Sequence, residues 1–334
     1  MSKVGIIGAG TWGIALARVL ANAKNEVTVW SAITSEIDEL ASTNCHPKLP
    51  GVILPGNICY TKEIEYVCRE KDFLIMAVPS VFVRSTVALA APYIDENQIV
   101  VDVAKGMEPE TLYTMSEVIL DELKTVCPEK YIHIVAFSGP THAEEVSRDM
   151  PTTIVAACRD MSIAERVQEL FEDTCMRVYT NYDIKGVEIC GALKNVIALA
   201  TGVATGLGLG DNTKAALITR GLNEISRLGI SMGCNLTTFV GLAGMGDLIV
   251  TATSEHSRNN RAGQLIGQGY SAGEAIQKVG MVVEGINALP AALQLAQKHQ
   301  IDMPIVKAID AIVNNGKKPD EAVRELMARK QRSE

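Results

Sequence analysis

The chain has 334 residues, a length that suits two domains of about 150 residues each better than one compact core. Its formal net charge of -8 at pH 7 argues against a nucleic acid as partner, because nucleic-acid binders normally present a clustered basic surface. The eight cysteines are scattered and form no pair or cluster at zinc-ligand spacing, which favours reduced thiols in a cytoplasm and no bound metal.

No segment predicts export or membrane insertion. The N-terminus enters a strand at once, without the charged, apolar and small-residue regions of a signal peptide. The longest weakly polar stretch, residues 196–210, is interrupted by two threonines and four glycines, so we expect it to fall short of a membrane span. A soluble protein without a membrane partner is therefore expected.

Short β-branched runs alternate with helical stretches from residue 3 to about residue 180. The runs are apolar at nearly every position, which is typical of parallel strands that are covered on both faces. The sequence therefore predicts an α/β fold with a Rossmann-type, doubly wound and mostly parallel sheet, whose ligands bind beyond the carboxyl ends of the strands. The predicted strands are KVGIIG, EVTVW, DFLIMAVP, QIVVDVAKG, YIHIVAFSGP and TTIVAAC.

The first strand runs into a glycine-rich turn, GAGTWG, which is followed by a helix-forming stretch. In this context Gly8 permits the tight turn, Gly10 admits a pyrophosphate to the backbone, and Gly13 lets the helix pack on the strand. The pattern predicts a dinucleotide site, and a purely structural turn is the alternative. We expect the backbone N–H of Trp12 to face the pyrophosphate while the indole forms a wall of the crevice or packs against the second domain.

The end of the second strand does not choose between the two nicotinamide dinucleotides. An NAD site usually has an acidic residue there for the ribose hydroxyls, but this strand ends in Trp30, Ser31 and Ala32. No Arg or Lys stands there for a 2′-phosphate either. Ser31 is expected to be able to hydrogen-bond the adenosine end of NAD or of NADP.

Lys105 follows a later buried strand and precedes a glycine. This order places its ammonium group at the carboxyl edge of the sheet, where ligands bind. An exposed loop lysine is the alternative.

After residue 181 the strand-like runs stop, and the chain reads with helical periodicity. The sequence therefore predicts a dinucleotide-binding domain over residues 1–182 and an all-helical substrate-binding domain over residues 183–334.

Two charged residues of the helical half lie in apolar surroundings. Between residues 187 and 209, Lys194 is accompanied by only one other charge, Glu188. Burial lowers the pKa of an ammonium group towards the range useful for proton transfer, although a lysine that extends to the surface fits the pattern equally well. Asp247 is similarly isolated, and because buried charges are seldom left unpaired, we expect a lysine as its partner, or alternatively a helix-capping role.

A helix is predicted to begin at Ser257, followed by Arg258 and Asn259. Cations at a helix N-terminus oppose the helix dipole unless an anion is bound there, so the sequence predicts a phosphate site that Arg258 holds. A solvated polar helix start is the alternative.

These residues lie in segments that together resemble the NAD(P)-dependent glycerol-3-phosphate dehydrogenases, in their bacterial soluble form. The similar segments occur in the family's order over nearly the whole chain. They are GAGTWG (8–13), AKGME (104–108), SGPTHAEE (138–145), LKNVIALATGVATGLGLGDNTKAALITRGLNE (193–224), GLAGMGDLIVTATSEHSRNNRAG (241–263) and VVEG (282–285).

The resemblance implies reversible reduction of dihydroxyacetone phosphate by NADH or NADPH to sn-glycerol 3-phosphate, the backbone precursor of glycerophospholipids. It implies that Lys194 is the proton donor and acceptor, assisted by Lys105 and Asp247. The implied substrate residues are Lys105, Gly139, Thr141, Lys194, Asp247, Ser257, Arg258 and Asn259. The implied cofactor residues are Gly8, Gly10, Thr11, Trp12, Gly13, Lys105, Ala143, Arg258, Val282 and Glu284.

One departure from the family concerns the cofactor. Members often carry Arg or His just after the tryptophan that ends the second strand, whereas this chain has Ser31, Ala32 and Ile33. NAD and NADP therefore both stay open as cofactors, and a homodimer is expected from the size of the helical domain.

Two other functions stay open at this point. A β-hydroxyacid dehydrogenase of the 6-phosphogluconate or hydroxyisobutyrate type also joins a dinucleotide-binding sheet to a helical domain. A non-catalytic redox sensor that keeps the dinucleotide fold is the alternative of a different class.

Overall fold

The computed structural model describes residues 1–330, which divide into two compact units. The first unit consists of residues 1–105 and 113–188, and the second takes in residues 106–112 together with the chain from residue 189 onwards. The units thus do not follow the expected limits residue for residue, and the domains 1–182 and 183–334 stay a prediction.

The first unit contains an eight-stranded sheet, whose order is β3-β2-β1-β4-β5-β6-β7-β8. All neighbouring pairs are parallel except β6 and β7. The strand order reverses between β1 and β4, where doubly wound sheets bind their ligands. The strands are β1 Lys3–Ile7, β2 Glu26–Trp30, β3 Cys59–Thr61, β4 Phe73–Met76, β5 Ile99–Asp102, β6 His133–Ser138, β7 Thr152–Ala157 and β8 Met176–Asn181.

Both faces of this sheet are buried, as its continuous apolar runs predict. Neighbouring residues alternate between two apolar layers: Ile6 and Val101 lie in one, whereas Ile7 and Val100 lie in the other. The helices of the unit are α1 Thr11–Asn22, α2 Thr34–Thr43, α3 Ile64–Cys68, α4 Val83–Ala90, α5 Met115–Val126, α6 Ala143–Val146 and α7 Met161–Leu170.

The described part of the second unit is helical, as expected. Its first helix, α8, spans Ile184–Gly206, and the boundary between the units falls within it. A π-helical segment, Leu242–Gly246, precedes α11. The other helices are α9 Asp211–Ser231, α10 Leu236–Val240, α11 Asp247–Thr253, α12 Arg258–Gly267, α13 Ala272–Val279, α14 Glu284–Asn287, α15 Leu289–Lys298, α16 Pro304–Asn315 and α17 Pro319–Met327.

The helix α8 corrects one expectation. Its two threonines and its glycines do not interrupt it, and by length and composition it could cross a membrane, but its whole apolar window is buried inside the protein. Gly202 and Gly206 instead permit close packing on α12, because a Cβ at either position would overlap the backbone of Asn260 or Gln264. The apolar length of α8 therefore belongs to the core of the second unit.

Candidate active site

The glycine-rich turn after β1 has the geometry that a dinucleotide requires. Gly8 has a φ of +119°, and a Cβ there would overlap the carbonyl oxygen of Ala77. A Cβ at Gly13 would overlap the carbonyl oxygen of Gly8. By contrast, no atom of the described residues lies within 4 Å of a Cβ built on Gly10, which precedes α1. The backbone is therefore open to a phosphate where the helix begins.

Thr11 and Trp12 open α1, so their N–H groups are among those that lack partners within the helix. The indole of Trp12 is half-buried and packs against the core of the first unit. The side chain therefore has a packing role, while the backbone N–H of Trp12 lies in the first turn of α1.

The end of β2 differs from the expectation. The Ser31 hydroxyl donates a hydrogen bond to Glu36 Oε2 at 2.7 Å and accepts one from the Ile33 N–H at 3.1 Å. Ser31 is thus already engaged within the protein, and the first turn of α2 supplies the carboxylate that the strand lacks. Sequence reasoning missed Glu36 because the search stopped at the strand end.

Lys105, Gly139 and Thr141 come together in the first unit. The Lys105 ammonium donates to the Gly139 carbonyl at 3.0 Å and to Thr141 Oγ1 at 3.5 Å, and Thr141 Oγ1 donates to the same carbonyl at 3.1 Å. These contacts tie the loop after β5 to the loop after β6. Ala143 begins α6 just beyond and is buried.

Two buried carboxyl groups lie close to this edge of the sheet. Asp102, the last residue of β5, is 2% exposed, and burial and the nearby Glu188 raise its pKa well above the usual value. Glu188 accepts hydrogen bonds from the N–H and the hydroxyl of Ser116, both at 2.6 Å. Burial raises the pKa of Glu188 to about 7.

The second unit contains a buried ion pair between Lys194 and Asp247. The Lys194 Nζ lies 3.0 Å from Asp247 Oδ1, and the two side chains are 6% and 1% exposed. The pairing expected for Asp247 is therefore present, and Lys194 does not extend to the surface. Thr251, which sequence reasoning missed, accepts a hydrogen bond from Lys194 Nζ at 2.6 Å and donates to the Asp247 carbonyl at 2.6 Å. The three side chains form one desolvated, charge-balanced cluster.

The predicted helix start is present as α12, with Ser257 as its cap. The Ser257 hydroxyl accepts a hydrogen bond from the Asn260 N–H at 3.2 Å, and Arg258 is the first residue of the helix. The Asn259 side chain donates to Asn195 Oδ1 at 2.9 Å and accepts from the Gly285 N–H at 2.8 Å. Its amide group thus fixes the helix start within the protein.

The remaining predicted cofactor residues of the second unit precede Gly285. Val282 lies in the loop before α14, Glu284 is the first residue of α14, and both are partly exposed. The hydrogen bond from Gly285 to Asn259 links this segment to the start of α12.

Comparison with known proteins identifies relatives over both units. A family model described as NAD-dependent glycerol-3-phosphate dehydrogenase N-terminus matches residues 3–164, and the corresponding C-terminus model matches residues 183–324. A glycerol-3-phosphate dehydrogenase (NAD(P)+) 2 of Lactobacillus delbrueckii subsp. bulgaricus is 60% identical, covering 100% of this chain and 99% of the relative. The corresponding enzyme of Agathobacter rectalis is 52% identical, covering 100% of this chain and 98% of the relative.

A solved structure supports the same similarity. The crystal structure of glycerol-3-phosphate dehydrogenase from Coxiella burnetii has a TM-score of 0.93 and 34% identity, and the match covers 98% of this chain and 99% of that one. The similarity thus extends over the sheet and the helical region alike.

Proposed function

The chain belongs to the family of NAD-dependent glycerol-3-phosphate dehydrogenases, and from this premise we propose how its residues carry out the reaction. It is an NAD(P)-dependent oxidoreductase that interconverts dihydroxyacetone phosphate and sn-glycerol 3-phosphate. The observation that best supports the proposed residue roles is the buried cluster of Lys194, Asp247 and Thr251.

The residues of the glycine turn fit a bound dinucleotide, because Gly10 leaves the backbone open at the start of α1. When bound, the nicotinamide supplies a hydride for reduction and accepts one for oxidation. We assign the binding of the dinucleotide to Gly8, Gly10, Thr11, Trp12, Gly13, Lys105, Ala143, Arg258, Val282 and Glu284.

Lys194 is the proposed general acid for reduction and general base for oxidation. Its Nζ donates a proton to the substrate oxygen that becomes negative during reduction and takes the proton back in the reverse direction. Asp247 Oδ1 lies 3.0 Å from Lys194 Nζ and stabilises the ammonium form of the lysine. The hydrogen bond of 2.6 Å from Lys194 Nζ to Thr251 Oγ1 fixes the direction of the ammonium group. Because the cluster is desolvated, its interaction with a developing charge is stronger than in water.

The start of α12 is the proposed site of the substrate phosphate. Arg258 supplies a guanidinium group that can hold a phosphate through two parallel hydrogen bonds, and Ser257 sets the direction of the helix start. Asn259 contributes through its backbone N–H, since its side chain is engaged with Asn195 and Gly285. Binding energy from this unreactive end of the substrate then serves to orient the carbonyl group.

Lys105 is the second proposed cation of the reaction. The hydrogen bonds to Gly139 and Thr141 fix its ammonium group, and all three residues are assigned to substrate binding. Such a fixed charge requires little reorganisation when the substrate oxygen becomes negative.

The cellular setting is also part of the proposal. The product serves glycerophospholipid synthesis, and the enzyme works as a cytoplasmic homodimer without a nucleic-acid or membrane partner. The scattered spacing of the eight cysteines, without a paired pattern, is consistent with a reducing compartment such as the cytoplasm.

The decisive assay follows the oxidation of NADH and of NADPH with dihydroxyacetone phosphate, in parallel with keto acids that correspond to the β-hydroxyacid substrates. We expect turnover with dihydroxyacetone phosphate alone. Faster turnover with a keto acid would favour the β-hydroxyacid dehydrogenase, and cofactor binding without any turnover would favour the redox sensor.

The role of Lys194 is tested by Lys194→Ala. We expect kcat to fall by roughly 10²- to 10³-fold, the loss of about 3 to 4 kcal/mol of charge stabilisation. NADH affinity measured by calorimetry should stay unchanged. Lys298→Ala, which removes an exposed lysine of α15, is the control and should leave both quantities unchanged. Near-normal kcat in Lys194→Ala would remove Lys194 from the mechanism.

A further inference from the structure

The carboxylate of Glu36 is held at the end of β2, six residues after the last residue of the strand, Trp30. Ser31 directly follows the strand, is 6% exposed, and donates its hydroxyl proton to Glu36 Oε2 at 2.7 Å. The same hydroxyl accepts from the Ile33 N–H at 3.1 Å, so its direction is fixed from two sides. Glu36 itself is partly exposed. The carboxylate is thus directed by the protein and still reachable by a ligand.

This carboxylate also lies close to the glycine turn. The last residues of β1 and β2, Ile7 and Trp30, are paired, and the Gly8 N–H donates to the Trp30 carbonyl at 2.8 Å. The buried His46 ring lies near both regions, because the backbone of Ala9 and the Glu36 carboxylate each act to raise its pKa. Glu36 therefore lies at the end of β2, the strand next to the proposed pyrophosphate site at the end of β1. Doubly wound sheets hold the adenosine ribose at the end of this second strand.

We propose that Glu36, directed by Ser31, binds the adenosine ribose hydroxyls and makes this chain selective for NAD over NADP. The inference rests on the proposed cofactor site and extends it to the choice of cofactor. A carboxylate accepts hydrogen bonds from both ribose hydroxyls of NAD. In NADP a 2′-phosphate replaces one of these donor hydroxyls. The phosphate also places roughly two negative charges next to the carboxylate.

In the described part of the chain, the lysines near α2 do not pair with Glu36. Lys62 is paired with Asp38 at 2.6 Å. Burial lowers the pKa of His46 below its usual 6.5, so the ring is neutral at neutral pH. Lys48 is exposed, and it lowers the pKa of His46 further rather than pairing with Glu36 in a salt bridge. Within residues 1–330, Glu36 thus forms no salt bridge with Lys62 or Lys48 that would offset its charge.

The test is a calorimetric titration of the full chain with NADH and with NADPH, without substrate. We expect the wild type to bind NADH at least about tenfold more tightly, a modest effect for like charges at close range. Glu36→Gln keeps an oxygen for the Ser31 hydroxyl but removes the charge, so the preference should shrink by about tenfold. The control, Glu39→Gln, removes a charge from an exposed position three residues along α2 and should keep the wild-type preference.

Equal affinities in the wild type, or tighter binding of NADPH, would overturn the proposal. So would equal changes in Glu36→Gln and Glu39→Gln, because these would indicate only the general field of the helix. A loss of both affinities by the same factor in Glu36→Gln would assign Glu36 a purely structural role. Selective binding of NADH without turnover of dihydroxyacetone phosphate would support this proposal and contradict the proposed function.

Discussion

Replacing Glu188 by Gln should make the protein more stable in alkaline solution. The Glu188 carboxyl group is buried and accepts two hydrogen bonds of 2.6 Å from Ser116, yet burial raises its pKa from 4.5 to about 7. Between these two pH values the folded chain holds a proton that the unfolded chain releases, so stability falls as the pH rises through this range. This difference in pKa between the folded and the unfolded chain lowers the free energy of unfolding by about 3 kcal/mol above pH 7.

Glutamine imitates the protonated form of this residue. Its amide oxygen can accept from the Ser116 N–H, and its amide nitrogen can donate to the Ser116 hydroxyl. We therefore expect Glu188→Gln to exceed the wild type by about 3 kcal/mol in free energy of unfolding at pH 8.5 and by less than about 1 kcal/mol at pH 5.

Urea unfolding followed by circular dichroism at both pH values measures this difference. Glu169→Gln, which removes an exposed carboxylate from α7, is the control and should show no pH-dependent difference. An equal effect of Glu188→Gln at both pH values, or a less stable variant at pH 8.5, would refute the assignment of an unfavourable buried charge to Glu188.

Two further predictions concern the ligand sites. Arg258→Ala should raise the KM for dihydroxyacetone phosphate by roughly 10- to 100-fold, since it removes a charge-assisted pair of hydrogen bonds, and an unchanged KM would exclude Arg258 from the phosphate site. Gly10→Ala should leave the thermal midpoint unchanged and weaken NADH binding, because its Cβ meets only open space within the described residues. Gly13→Ala should lower the thermal midpoint instead, since its Cβ would overlap the Gly8 carbonyl; the opposite pattern would contradict the described turn.

The sheet could be predicted only where its strands are buried on both faces. The six predicted strands are continuous apolar runs, as parallel strands between two layers must be. The two strands that were missed are the edge strands β3 and β8. The first has three residues, and in the second the exposed Arg177 and Tyr179 alternate with buried residues. Such patterns are too short or too polar to stand out from loops.

The candidate site was predictable in its residue types but not in all its contacts. An isolated charge in apolar surroundings indicates that a partner is needed, which led from Asp247 to a lysine. Thr251 lies four residues after Asp247 on α11, a spacing that places both on one helix face and offers a signal that sequence reasoning did not use. No such signal in the sequence indicated Glu36, the carboxylate at the end of β2. Glu36 reaches the strand end only because the chain turns back into α2 after the strand.

The sequence by itself therefore determined the glycine turn, the buried strands, the helical second half and the charged residues that need partners. All of these depend on interactions between residues close together along the chain. The tertiary structure decided which groups meet: Lys194 with Thr251, Glu188 with Ser116, and the α12 start with Asn195. These contacts join residues more than fifty positions apart, and packing of whole elements, which no local pattern encodes, brings them within hydrogen-bonding distance.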